Sequence, residues 1–109
     1  MIVADTSAIL AIVFAEPERD AFVAAIERAE RTLVSSVTVV ETRMVVHARR
    51  GQRAVVLVDD LLRLPCFEIV PAALDFGDLF GYALAKVRGL PLLFKGADFA
   101  ETDIARAVG

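Results

Sequence analysis

The stretch that decides the fold is Ile2-Val3-Ala4-Asp5-Thr6-Ser7-Ala8-Ile9-Leu10. Three apolar residues lead into an aspartate, and two small hydroxyl residues then precede an apolar segment of helical character. This pattern predicts a short strand that ends at Asp5 and turns directly into a helix. In open α/β sheets, ligands bind outside the carboxyl ends of the strands, so Asp5 is a candidate site residue. Aspartate before a helix is also a common N-cap, and the stretch alone leaves both roles open.

The composition predicts one domain, residues 1–109, without linkers or internal repeats. A hydrophobic fraction of 57% favours strands buried on both faces, as in a parallel sheet, or a surface that pairs with a partner. The net charge of −3 argues against a general basic surface for nucleic acid. It leaves open an acidic site that bound cations neutralise.

The same composition predicts a cytoplasmic location and no contact with a membrane. No apolar run approaches the roughly 20 residues that a membrane span needs. The start of the chain lacks the basic region and cleavage site of a signal peptide. The single cysteine, Cys66, excludes an internal disulfide, fits a reducing compartment and is expected to be a structural, apolar residue.

Predicted strands and helices alternate along the chain, which indicates a parallel α/β sheet with helices on both faces. The long helix after the second strand is expected to begin with Ser36 or Thr38 as its cap and to bury Val40 and Met44. Beyond the first strand, the predicted strands are 32–35, 66–70 and 90–95, and the predicted helices are 6–15, one from 16 onward, 36–50, 52–64 and 75–88.

Four carboxylates follow the four predicted strands, one after each: Asp5, Glu41, Asp78 and Asp98. Because the carboxyl ends of parallel strands lie at one edge of a sheet, these acids are expected to line one crevice. Each acid alone is explained by a capping or surface role. The apolar residues around Asp5, Glu41 and Asp78 favour a joint role, because charges of one sign in apolar surroundings need a neutraliser.

A hard divalent cation is the expected neutraliser, because Mg²⁺ and its substitute Mn²⁺ prefer oxygen ligands. Zinc is less suitable, since the chain has one cysteine and one histidine. A carboxylate-bound Mg²⁺ suits phosphoryl chemistry. Thr6 and Ser7 are candidates for supporting residues that hydrogen-bond to Asp5 or to metal-bound water, although both also suit capping of the first helix.

Four motifs together resemble the PIN-domain ribonucleases, and most of all the VapC toxins of toxin–antitoxin pairs. They are Asp5-Thr6-Ser7-Ala8, Glu41 in the long helix, the run from Phe76 to Ala85, and the run from Leu92 to Phe99. The resemblance implies a three-layer α/β/α sandwich around a mostly parallel sheet of four to five strands. It also implies Mg²⁺-dependent endoribonuclease activity that inhibits translation and growth, a homodimer and a VapB-type antitoxin as partner.

Residue by residue, the resemblance implies that Asp5 and Asp78 are the principal Mg²⁺ ligands. Glu41 and Asp98 would complete the catalytic set through water or a second metal. The chain departs from the family in having Ala97 where a second acid usually precedes Asp98. It also has almost nothing between Val70 and the helix at Asp75, so a helical segment between about residues 70 and 75 is expected to be missing.

Two other functions are considered. One is a receiver-type signalling module in which an aspartate accepts a phosphoryl group; the other is a PIN-fold scaffold without activity. The four acids follow four different strands instead of clustering on one, which argues against the receiver. The presence of all four acids argues against the inactive scaffold. A phosphatase with an acid two residues after Asp5 is disfavoured because Ser7 occupies that position.

The basic residues allow more than one interpretation. Arg43, Arg49, Arg50 and Arg53 surround Gly51 and are by default a solvated helix end; the functional alternatives are contact with RNA phosphates or with acids of the antitoxin. Near the predicted crevice, Lys95 is the preferred candidate for contact with an RNA backbone.

Overall fold

The computed structural model describes residues 1–71, 85–86, 88–96 and 105–108. The strands and helices alternate as predicted, and most of their bounds lie within a few residues of the predicted ones. In order they are β1 (Ile2–Ala4), α1 (Thr6–Val13), α2 (Arg19–Arg28), β2 (Thr32–Ser35), α3 (Ser36–Arg50), α4 (Gln52–Leu62), β3 (Phe67–Val70) and β4 (Leu92–Leu93).

The four strands form one sheet in the order β3-β2-β1-β4, and every pair of neighbours is parallel. Residues 105–107 extend the sheet beyond β4, where Leu92 accepts from Ala107 N at 3.0 Å and forms a parallel bridge with Arg106. The predicted α/β architecture, with a parallel sheet of four to five strands, is therefore confirmed. Because β1 is central, Asp5 lies at the middle of the carboxyl edge.

The residues of β1 alternate between the two faces of the sheet. Ile2 and Ala4 pack with buried residues of helices α1 to α4, whereas Val3 packs with Ala85 and Leu33 on the other face. Ala85 belongs to the helical residues that precede Gly89, whose φ of +65° ends that helix as predicted. Helices thus cover both faces, and β1 is buried between them.

Helix α3 buries a different face from the one predicted. Ser35, not Ser36 or Thr38, is its N-cap and accepts from Val37 N at 3.1 Å. Its buried face carries Thr38, Thr42 and Val46, while Met44 is 67% exposed. Thr42 tolerates burial because its hydroxyl donates to the Thr38 carbonyl at 2.7 Å, which satisfies the polar group inside the helix.

The prediction for α2 was also inexact at its start. The helix predicted from residue 16 onward begins only at Arg19, and Pro17 lies in the turn between α1 and α2. The apolar role predicted for Cys66 is confirmed, since Cys66 is half-buried against the core cluster of α1 and α2. Among the described helices, none is long and apolar enough to cross a membrane.

Candidate active site at the carboxyl edge of the sheet

Asp5 is held at the carboxyl end of β1 by both backbone and side-chain hydrogen bonds. Its amide donates to the carbonyl of Leu93 in β4 at 3.0 Å. Its Oδ2 accepts from Ser7 N at 3.3 Å and from the Ser7 hydroxyl at 3.0 Å. Asp5 is thus the N-cap of α1, which is one of the two roles that the sequence left open. It is also a half-buried carboxylate at the sheet edge.

Ser7 connects the ends of the two neighbouring strands β1 and β4. Its hydroxyl donates to Asp5, and the same oxygen accepts from Lys95 N at 2.9 Å. A hydroxyl that donates and accepts in this way has a fixed orientation, because its proton must point at the carboxylate. The supporting role predicted for Ser7 therefore has a geometric basis, which is to orient Asp5 relative to the chain that follows β4.

Thr6 contributes a polar atom without a partner next to Asp5 in the chain. Its Oγ1 is buried and makes no hydrogen bond within the described residues. Buried hydroxyls are normally satisfied, so an orphaned one beside a candidate metal ligand is a position where bound water would be stabilised. This observation fits the predicted supporting role of Thr6.

Glu41 lies on α3, the helix that follows β2. It is half-buried and comes five residues after Ser36, the first residue of α3, about 7.5 Å along the helix axis. Since β1 and β2 are neighbours and α1 packs against α3, Asp5 and Glu41 follow adjacent strands on the same side of the sheet. Two of the four predicted acids are thus placed consistently with one crevice.

The other two predicted acids, Asp78 and Asp98, lie outside the described residues. Most of the predicted helix 75–88 and the predicted turn after Gly96 also lie outside the described residues. Within residues 1–71, 85–86, 88–96 and 105–108, no three acidic, histidine or cysteine side chains converge. Convergence of all four acids accordingly stays a prediction.

Lys95 is engaged by two acids of the turn between α1 and α2. Its Nζ lies 3.2 Å from Glu16 Oε2 and 3.4 Å from Glu18 Oε1. The hydrogen bond to Glu16, helped by the charges of both glutamates and opposed by partial desolvation, raises the pKa of the Lys95 ammonium above its ordinary value. The role preferred for Lys95 from the sequence, contact with an RNA backbone, therefore competes with an existing ion pair.

Arg106 fixes the start of the segment that leads from β4 towards Asp98. Its guanidinium lies 4.2 Å from the ring centroid of Phe94 and donates to the Gly96 carbonyl at 3.2 Å. Phe94 itself is buried. The contacts of Arg106, Glu16 and Glu18 with residues 94–96 could not be predicted from sequence, because nothing in the local patterns marks them.

A surface groove of about 400 Å³ lies between α3 and α4 and is lined by Arg43, Met44, His47, Gln52 and Val55. None of the predicted acids lines it. His47 is exposed there, on the solvent side of α3. A groove of this kind is a surface feature and is distinct from the carboxyl edge.

Comparison with known proteins gives the same family for most of the chain. The PIN domain family matches residues 2–105. VapC ribonuclease Mb0640 of Mycobacterium bovis is 36% identical over 125 residues, which cover 94% of this chain and 95% of that protein. Ribonuclease VapC42 of Mycobacterium tuberculosis is 34% identical over 128 residues, which cover 96% of this chain and 98% of that protein.

The alignment with Mb0640 runs over 125 positions although this chain has 109 residues, so it contains gaps on the side of this chain. The segment expected to be missing near residues 70–75 stays a prediction. Among solved structures, the crystal structure of Mycobacterium tuberculosis VapC20, a toxin that cleaves the sarcin-ricin loop, is similar with a TM-score of 0.78. It covers 100% of both chains at 15% identity, which supports the fold.

Proposed function

The chain belongs to the PIN domain family, and on that premise we propose that it is a Mg²⁺-dependent endoribonuclease of the VapC type. Its curated relatives are ribonucleases at 30–36% identity over nearly the whole chain. The observation that carries the proposal is the placement of Asp5, which Ser7 orients at the carboxyl edge of a buried parallel sheet. The alternative of a receiver-type module has no comparable support.

The available donors suit a divalent cation of the hard class. PIN-domain nucleases generally use divalent metal ions, and carboxylate oxygens are the ligands that Mg²⁺ and Mn²⁺ prefer. We propose that Asp5 and Asp78 hold the metal and that Glu41 and Asp98 assist through water or a second ion. The orphaned Thr6 Oγ1 supports this arrangement, because a water on the metal could satisfy it.

The chemistry proposed is hydrolysis of an RNA phosphodiester bond. Bound Mg²⁺ supplies charge neutralisation at the scissile phosphate. The protein supplies the orientation of the carboxylates: Ser7 fixes Asp5 through two hydrogen bonds, and α3 carries Glu41 on the same side of the sheet. Fixing these side chains before substrate arrives lowers the reorganisation needed during the reaction.

The biological role that we propose is that of a toxin whose RNA cleavage inhibits translation and growth in the cytoplasm. VapC toxins pair with VapB antitoxins and act on RNA, and we extend this to a VapB-type antitoxin and a homodimer for this chain. Exposed apolar side chains support binding of protein partners. On α3 and α4 they are Val40, Met44, Val56 and Leu57.

The experiment that tests the enzyme function compares RNA cleavage by wild type, Asp5→Asn and Asp78→Asn with and without Mg²⁺. Asparagine keeps a capping oxygen at position 5 but loses the charge that a cation needs. We expect both variants to lose cleavage and growth inhibition while circular dichroism and thermal unfolding stay close to wild type. Full activity of purified Asp5→Asn would refute the proposal, and a loss of folding would favour the capping role alone.

A further inference from the structure

Three arginines, Arg49, Arg50 and Arg53, gather where α3 ends and α4 begins; they are called the arginine patch below. The guanidinium carbons of Arg49 and Arg50 lie 5.3 Å and 5.1 Å from the ring centroid of Phe14, the residue that ends α1. Both distances are within the range of cation–π attraction. One half-buried aromatic ring therefore restrains two exposed cations of the same sign.

Helix stability explains only part of this arrangement. Arg49 and Arg50 suit the negative end of the α3 dipole. Arg53 does not suit its position, because it lies in the first turn of α4, where the helix dipole is positive and no acidic residue is present. None of the three forms an ion pair within the described part of the chain. Among the described residues, the positive charge concentrated here has an aromatic neighbour in Phe14 but no acidic partner.

Several other cations in the described part of the chain are held in ion pairs. Arg31 pairs with Glu68, and Arg63 pairs with Asp60. Arg43 pairs with Asp59, and Lys95 pairs with Glu16 and Glu18. A chain with a net charge of −3 and acids at its site would repel RNA unless a local basic surface held it. The arginine patch is such a surface.

The position of the patch relative to Glu41 suggests which part of the RNA it contacts. Arg49 is eight residues beyond Glu41 on α3, about 12 Å along the helix axis. Resting on the ribonuclease function above, we propose that the arginine patch binds backbone phosphates of the RNA outside the cleaved bond, about 12 Å along α3 from Glu41.

The test measures binding without cleavage. A fluorescein-labelled uridine 20-mer is titrated in EDTA, and fluorescence anisotropy is followed over a range of KCl concentrations. The triple variant Arg49→Gln/Arg50→Gln/Arg53→Gln is expected to bind more weakly. Each phosphate contact to a single strand contributes about 0.7 to the slope of log Kobs against log salt, so the slope should shrink by about 2.

Two matched variants separate this role from general charge and helix stability. Arg19→Gln/Arg28→Gln/Arg63→Gln removes the same charge from exposed positions elsewhere, and its slope should stay within about 0.7 of wild type. Arg49→Lys/Arg50→Lys/Arg53→Lys keeps the charge and should keep the slope. If the triple glutamine variant fails to fold, Arg50→Gln and Arg53→Gln are measured singly, each with an expected loss of about 0.7.

An unchanged slope in the glutamine variants would overturn the assignment to RNA and leave an acidic protein partner as the occupant of the patch. A loss of slope that the control triple reproduces in full would overturn it as well. Failure of the ribonuclease function is distinguishable, because it appears as absent cleavage by the wild type in Mg²⁺. If the wild type cleaves RNA but the glutamine variants bind RNA with an unchanged salt slope, only the role proposed for the arginine patch is contradicted.

Discussion

The hydroxyl of Ser7 lies 3.0 Å from Oδ2 of Asp5 and donates a hydrogen bond to it. The same hydroxyl accepts from Lys95 N at 2.9 Å, so one side chain links Asp5, at the carboxyl end of β1, to the segment that follows β4. A carboxylate oriented in this way is ready to bind a cation without first losing rotational freedom. The relationship makes Ser7 a positioning residue for the proposed metal ligand.

Replacing Ser7 by alanine is expected to weaken Mn²⁺ binding and RNA cleavage by about 10- to 100-fold, as is usual when a residue that orients a metal ligand is lost. Isothermal titration with Mn²⁺ gives the affinity independently of activity. Ser7→Thr retains the hydroxyl and is expected to recover most of the loss. Equal losses in the alanine and threonine variants would show that packing, and not the hydrogen bond, is what Ser7 contributes.

Substitution of Lys95 by methionine is expected to destabilise the chain in a pH-dependent way. Because the pairing raises the pKa of Lys95 above 10.5, the folded chain holds the proton more tightly than the unfolded chain. The contribution to stability is therefore complete below pH 10.5 and disappears as the pH rises through the raised pKa. Urea midpoints of wild type and Lys95→Met between pH 8 and pH 11.5 should differ most at the low end and draw closer as the pH rises above 10.5.

The glutamates provide the control for this prediction. Glu16→Gln/Glu18→Gln removes the partners of Lys95 and should abolish the alkaline convergence, because nothing then raises the pKa of the ammonium above its value in the unfolded chain. A difference between wild type and Lys95→Met that persists unchanged at pH 11.5 would mean that the lysine stem, and not its charge, stabilises the fold. Lys95→Met should also leave the salt dependence of RNA binding unaltered, in contrast to the arginine patch.

The same substitution at two leucines of α4, one buried and one exposed, tests how α4 packs against the core. Leu62 is 8% exposed and belongs to the core cluster of α1, α3 and α4, whereas Leu57 is 65% exposed. Leu62→Ala should cost about 2–5 kcal/mol of unfolding free energy, and Leu57→Ala less than about 0.5 kcal/mol. Denaturant unfolding measures both. Comparable losses would mean that the apolar face of Leu57 is covered, for example in a homodimer, which unfolding at several protein concentrations would reveal.

The order and type of the elements could be predicted from sequence because apolar strands and helix-ending residues such as Gly51 and Gly89 are local signals. The face that α3 buries could not be predicted in this way. Val40 and Met44 recur at helical spacing and suggest a buried stripe, yet Thr38 and Thr42 lie inside. The Thr42 hydroxyl donates to the Thr38 carbonyl, which lowers its penalty for burial, whereas the Thr38 hydroxyl has no hydrogen-bond partner among the described residues. Hydrophobicity alone cannot anticipate that compensation.

The candidate site was likewise predictable in part. Asp5 at the end of β1 and Glu41 on the helix after β2 follow from their positions in the chain, and the structure places both as half-buried residues. The bond from Lys95 N to Ser7 and the ion pairs of Lys95 join segments far apart in sequence, and no local pattern encodes them. The roles of Asp78 and Asp98 stay predictions from the family resemblance.

Asp5 is proposed to be a metal ligand as well as a helix cap, and Mn²⁺ titration followed by electron paramagnetic resonance tests that role most directly. Wild type, Asp5→Asn and Asp5→Ala are compared, because asparagine preserves the cap whereas alanine costs about 1 kcal/mol of stability. We predict that wild type binds Mn²⁺, that both variants lose this binding, and that only Asp5→Ala is destabilised. Wild-type Mn²⁺ affinity in a folded Asp5→Asn protein would contradict the account.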